Sequence, residues 1–291
     1  MIINPYLVQP SIPPFTGLLD TYSGAAVAYS AARRLSSTYT GSLIRVRRSS
    51  DNAEQDIGYT AGNVLDESAL TTFVGANNGF VTTWYDQSGN GKNAVQSTAA
   101  NQPQIVSSGS VITQNSKPAL LADGTNDSLR NTLNVAGGNT LCTFYAFSKI
   151  GNGTNDGYKP EIGMATNNST DIGALHYINP SAYGSSYAWY PNFGFYDYTP
   201  TTTYSNNTMY LMSVMFPGSS PWKVFKNSTE EASIASYGTF QSQQTGFDIG
   251  RQEIPSRYSN NKYSEVIFYA SNQNTNRAGI ETNINTFYSI Y

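Results

Sequence analysis

The chain has 291 residues, 12% of them charged and 13% aromatic, with 22 tyrosines and 25 glycines. A formal net charge of -3 offers no general attraction for phosphate, which argues against a nucleic-acid partner. Histidine and cysteine together number two residues, too few for a nitrogen- and sulfur-ligated zinc site or an internal disulfide, and no apolar run approaches a membrane span.

Residues 1–17 contain Pro5, Pro10, Pro13 and Pro14, which remove backbone donors and hold the chain extended. They read as an N-terminal arm, and residues 18–291 as one domain. No basic region precedes a long apolar stretch at the start, so no ordinary secretory signal is expected there. From Ala25 to Leu35 the spacing of Val27, Ala28, Ala31, Ala32 and Leu35 predicts a short helix. A second is expected from Asp66, as N-cap, to Gly75. Between and after them lie strand patterns bounded by Gly, Pro, Asn and Ser: Leu43–Arg47, Gly79–Tyr85, Leu141–Ser148, Thr208–Phe216, Trp222–Lys226 and Tyr263–Ala270. Cys142 falls inside such a run and reads as a small core residue. Residues 151–207 are rich in Asn, Gly, Ser and Tyr, a composition suited to long surface loops around a few strands. Ile280, Ile284 and Phe287 form an apolar stripe for a terminal helix. Many short strands with polar turns and few helices predict an all-β sandwich.

Three segments carry a family resemblance: Ala28-Tyr29-Ser30-Ala31-Ala32-Arg33-Arg34-Leu35-Ser36, Ile44-Arg45-Val46-Arg47-Arg48-Ser49-Ser50-Asp51-Asn52, and Trp84-Tyr85-Asp86-Gln87-Ser88-Gly89-Asn90-Gly91. Together they resemble the catalytic domain of fungal alpha-L-arabinofuranosidase B and, more closely, bacteriophage virion-associated proteins with related domains. Lys117-Pro118-Ala119-Leu120-Leu121-Ala122-Asp123-Gly124 and Tyr263-Ser264-Glu265-Val266-Ile267-Phe268-Tyr269 are similar to strands of laminin-G-like and concanavalin A-like modules. The resemblance implies a concanavalin A-like jelly-roll β-sandwich with a few short peripheral helices. Such a fold hosts lectins, glycosidases and structural appendages alike.

A retaining glycosidase needs two carboxyl groups, one to attack the sugar carbon and one to protonate the leaving oxygen. The resemblance places the family's acid in a Gly-Gly-Asp turn, and the matching segment here is Gly250-Arg251-Gln252, whose amide has no acidic proton. Glu253 follows but points the other way in an extended segment. The family's nucleophile is a mid-chain glutamate, whereas Tyr183–Tyr198 contains Asp197 and no glutamate; Glu161 and Glu230 are the nearest. The adjacent cysteine pair of the family is also missing, since Cys142 stands alone. No catalytic residue is therefore assigned. The expected protein is a non-enzymatic phage virion subunit: a capsid decoration or a head- or tail-fibre protein. It would be made in the host cytoplasm and sit on the particle surface, docked by its arm onto other virion proteins and further copies of itself. The alternatives are an arabinofuranosidase-type glycoside hydrolase and a structural subunit without a ligand.

A glycan is the expected ligand class. Tyr187, Trp189, Tyr190 and Tyr196 lie among Ser, Asn, Gly and Pro, and aromatic rings beside hydrogen-bonding groups match the apolar faces and polar edges of sugars. Asp86 and Asn90 join them as glycan contacts, with capping of a tight turn as the competing role. No cofactor is expected; a calcium ion would sit at Asp86 and Asn90 or at Asp123, Asn126 and Asp127, although the spacing matches no dedicated calcium loop. The arginines Arg33, Arg34, Arg45, Arg47 and Arg48 are expected to form local salt bridges with Asp51, Glu54 and Asp56 or a solvated face, and His176 to sit in an exposed loop.

Overall fold

Runs of Val, Ile, Tyr and Phe pair into two facing antiparallel layers, as the sequence pattern requires. The computed structural model describes residues 14–134, 140–150, 159–166, 174–179, 185–189, 195–198, 204–217, 221–234, 244–252 and 257–291. Of the proline-rich arm, residues 1–13 lie outside the described residues.

In the first layer, Asn261–Tyr269 pairs with Val27–Ser30 and with Leu141–Lys149, and the latter continues through Met209–Phe216 and Trp222–Lys226 to Thr229–Ile234. The second layer runs from Glu54–Ile57 through Ile44–Arg48, Gly79–Trp84, Ala94–Val95, Leu129–Asn131 and Gln244–Ile249 to Lys159–Thr166. It ends in a meander of Ala174–Asn179, Ser185–Trp189 and Phe195–Tyr198. Gln104–Ser107 pairs with Gly79–Trp84 and with Leu120–Leu121, which pairs in turn with Asn261–Tyr269, so the two layers share one edge.

Alternation places residues of both layers in the space between them. Val27, Tyr29, Tyr145, Phe147, Val266 and Phe268 meet Ile44, Val46, Val81, Trp84, Phe247 and Ile249 there. The other face of the first layer is covered as well. Ala28, Cys142, Phe144, Ala146, Leu211 and Ile267 pack under two helices, α1 (Leu18–Thr21) and the terminal helix (Arg277–Tyr288), which contributes Ile280, Ile284 and Tyr288. Double coverage explains why Leu141–Lys149 and Met209–Phe216 are buried at every position, a pattern otherwise typical of parallel sheets. Each large apolar side chain so buried contributes roughly 1.5–3 kcal/mol.

Double coverage also explains the helix predicted over Ala25–Leu35, which is absent. Val27–Ser30 is a strand because Val27 and Tyr29 belong to the inner core while Ala28 belongs to the outer one. A residue set apolar on both sides mimics helical spacing, and pairing with Asn261–Tyr269 decides the matter. The other helix forms as expected over Glu67–Val74: Asp66 Oδ1 accepts from Ala69 N at 2.9 Å, and Gly75 ends it at φ +61°. In the terminal helix Tyr288, rather than Phe287, is the fully buried aromatic.

Candidate functional site

The Asp86–Gly91 turn is tied to the sandwich by its own side chains. Asp86 Oδ1 accepts from Ala28 N and Ser88 N, both at 2.9 Å, and Oδ2 accepts from Ser88 Oγ at 2.8 Å and Lys92 N at 3.0 Å. Asn90 Nδ2 donates to the carbonyls of Ala25 and Ala26 at 3.0 and 3.1 Å. Gln87, also buried, accepts from Leu35 N and donates to Arg33 O. Gly89 and Gly91 take the positive φ that the turn demands, +91° and +66°. The turn borders an open cavity of about 500 Å³, lined by hydroxyl-bearing residues Ser23, Ser36, Thr38 and Tyr39 together with Asp20 and Gln87. Burial works on the Asp20 carboxyl in the raising direction, but hydrogen bonds from Gly17, Ser37 and Ser36 hold it below the ordinary range.

At another place the second layer brings three segments together. Leu129–Asn131 pairs with Gln244–Ile249, and the chain then turns at Gly250 into the short hairpin of Arg251–Gln252 with Arg257–Tyr258. A side-chain carbon at Gly250, whose φ is +81°, would stand 3.5 Å from the carbonyl oxygen of Asp127 and 3.3 Å from Ser259 Oγ. The backbone of Asp127 thus lies beside Gly250, although the sequence separates them widely. Its Oδ2 accepts from Asp123 N at 3.1 Å, while Asp123 Oδ1 accepts from Thr125 N and Asn126 N. Burial pushes the Asp127 carboxyl up to about 7, and the nearby Asp123 charge adds to the rise. Such a group keeps its proton at mildly acidic pH, where an ordinary aspartate has lost it. Asp248, buried on the adjacent strand, lies 3.9 Å from Arg130.

The aromatic tract forms backbone strands in which Tyr187 faces Asp197, Ala188 faces Tyr196 and Trp189 faces Phe195. Tyr190 lies outside the described residues, as do the side chains of Tyr187, Trp189 and Tyr196; Glu253 lies outside them too. His176 belongs to the strand Ala174–Asn179 rather than to a loop. The arginine cluster is paired as expected through Arg45 with Glu54 and Asp56 and Arg48 with Asp51. Arg33 departs from it: its Nε and Nη2 donate to the buried Glu265 at 2.8 and 2.7 Å. Among the described residues no group of three or more His, Cys, Asp and Glu is placed to hold a metal ion.

The family model for "Alpha-L-arabinofuranosidase B, catalytic" matches residues 20–186. Alpha-L-arabinofuranosidase B of Emericella nidulans is 32% identical over 190 residues, covering 60% of this chain and 37% of that protein. Its counterpart from Aspergillus kawachii is 30% identical over 175 residues, covering 56% and 35%. The chain therefore spans about a third of the length of these curated relatives. A solved GH54 arabinofuranosidase soaked with a cyclic sulfate inhibitor superposes with a TM-score of 0.74 at 21% identity, over 92% of this chain and 65% of that one. An arabinofuranosidase complexed with arabinofuranosyl-alpha-1,2-xylobiose gives 0.71 at 20%, over 92% and 64%. At these identities the two structures speak for the fold.

These findings correct the expectation of a phage virion subunit. The relatives are fungal arabinofuranosidases, so virion partners docked by the arm, a place on the particle surface and a decoration or fibre role all lose their support. The expectation of a non-enzyme falls with them, because the matched model is that of a catalytic domain. That expectation rested on the missing acid at Gln252, the missing mid-chain glutamate and the missing cysteine pair, and the match to a catalytic-domain model overturns it. With its first half matched by the family model and its sandwich superposed on the solved enzymes, the chain belongs to the alpha-L-arabinofuranosidase B catalytic-domain family.

Proposed function

We propose that this chain is a glycoside hydrolase of the arabinofuranosidase type, acting on terminal α-L-arabinofuranosyl groups. The observation that carries the reading is the family match over residues 20–186. In this proposal Asp127 is the general acid. It gives its proton to the glycosidic oxygen as the bond to the sugar carbon breaks, water adds to that carbon and loses its proton to solvent, and solvent returns a proton to the Asp127 carboxylate. A carboxyl held up to about 7 by burial suits that task, because it is still protonated at mildly acidic pH where an ordinary aspartate is ionised. Tyr187, Trp189, Tyr190 and Tyr196 supply ring faces for the sugar. Asp86 and Asn90 hold the turn that walls the separate hydroxyl-lined cavity.

Release of arabinose from arabinofuranosyl-substituted xylo-oligosaccharides tests the proposal. Turnover by the natural chain, lowered on the order of 100-fold in Asp127→Asn with folding intact, is the expected result. No release of arabinose, or an Asp127→Asn variant as active as the parent, would overturn it.

A further inference from the structure

A second cavity, of about 640 Å³, opens along the terminal helix and is lined by Tyr22, Arg33, Lys117, Gly279, Thr282, Asn283, Thr286 and Phe287. Its walls are fastened by specific contacts. The hairpin of Thr113–Gln114 with Lys117–Pro118 clamps the end of the helix, since Asn115 Nδ2 donates to the carbonyls of Tyr288 and Ser289 at 3.1 and 3.0 Å. On the opposite side, the Tyr22 hydroxyl occupies the place where a side-chain carbon at Gly279 would stand, 2.0 Å away. Glycine inside a helix costs about 1 kcal/mol against alanine, and here it lets the tyrosine lie on the helix and form the cavity wall.

The chemistry of the lining is one-sided. Two cations border the cavity and, among the described residues that line it, none is an acid. Arg33 Cζ and Lys117 Nζ each stand 4.6 Å from the centre of the Phe287 ring, which holds both in place. Glu265 takes Nε and Nη2 of Arg33 and neutralises it, leaving Nη1 for a ligand and Lys117 as the excess positive charge. The hydroxyls of Thr282 and Thr286 donate to the carbonyls of Ala278 and Thr282, so each presents acceptor lone pairs to the cavity. Asn283 Oδ1 is buried and has no hydrogen-bond partner among the described residues. Acceptors of this kind want hydroxyl donors; the cations want a carboxylate.

The geometry points to a binding subsite for an acidic sugar, a hexuronate residue, whose carboxylate meets Lys117 and Arg33 Nη1 and whose hydroxyls donate to Thr282, Thr286 and Asn283. A branched polysaccharide could be held there by an acidic side group. The subsite stands apart from the proposed hydrolysis, since occupancy is read without turnover.

Amide chemical-shift titration of the full chain with sodium glucuronate tests it, with D-xylose and sodium acetate as separate arms. Saturable shifts confined to residues 278–288 and 113–118 are expected for glucuronate. Affinity should fall about fivefold in Lys117→Gln, and xylose and acetate should each bind at least about fivefold more weakly. Lys117 is a partly exposed rim residue, so the variant should fold, and unchanged shifts elsewhere check that it does. Acetate binding as tightly as glucuronate would reduce the site to a simple anion contact and overturn the proposal. So would equal binding of xylose, unchanged affinity in Lys117→Gln, or no saturable shift with glucuronate.

Discussion

Replacing Arg33 with methionine should be among the most damaging single changes to this fold. Glu265 is fully buried, and its carboxylate accepts Nε and Nη2 of Arg33 at 2.8 and 2.7 Å, with the Tyr288 hydroxyl as a further donor at 3.2 Å. Methionine keeps most of the apolar stem that packs near Phe287 but removes the charge. One hydroxyl cannot compensate a carboxylate withdrawn from water, and breaking a buried pair by removing one partner costs roughly 3–5 kcal/mol. For a domain of this size that corresponds to a fall in Tm of roughly 5–8 °C. Urea unfolding followed by tryptophan fluorescence would read the loss. The double variant Arg33→Met with Glu265→Leu should regain most of it, because two apolar residues leave no charge behind. A loss below about 1 kcal/mol in the single variant, or a double variant weaker than the single one, would refute the reasoning.

Three further outcomes follow from other parts of the molecule. Cys142 is buried and its thiol is pushed up to about 11 by burial, so a thiol reagent at mildly alkaline pH should label it only on unfolding; stoichiometric labelling of the native chain would contradict this. Asp86→Ala removes the acceptor of four hydrogen bonds, three of them from backbone amides, and should cost about 2–4 kcal/mol in denaturant unfolding, where an unchanged midpoint would count against the role given to the turn. Asp127 has a folded pKa of about 7, above its unfolded value, so its contribution to stability is full below pH ~4 and is lost as pH rises through about 7. Asp127→Asn should accordingly gain in Tm on the parent between pH 5 and pH 8, and a constant difference across that window would show that the carboxyl is not raised.

Much of the architecture is legible in the sequence because strand formation here follows composition. Alternating aromatic and β-branched residues between glycine, proline and asparagine turns mark Gly79–Trp84, Leu141–Lys149 and Met209–Phe216 to within a residue or two. Asp66 and Gly75 mark the ends of their helix because capping is local chemistry. What fails is what depends on distant partners. Val27–Ser30 looks helical because both of its faces are apolar, and only the outer layer of helices reveals why. Arg33 reads as one of a surface cluster until Glu265, far along the chain, is seen beside it. The candidate acid shows the same limit. Gln252 is read along the chain, whereas Asp127, marked in the sequence as an oxygen ligand in a turn, has its backbone carbonyl brought close to Gly250 by the pairing of Leu129–Asn131 with Gln244–Ile249.

Initial rates on 4-nitrophenyl α-L-arabinofuranoside across the pH range test the central claim most directly. The chain should release nitrophenol with a rate that declines on the alkaline side around pH 7, where Asp127 loses its proton, and the Asp127→Asn variant should lack both the rate and that decline. Absence of turnover at every pH, or an identical profile in the variant, would contradict it.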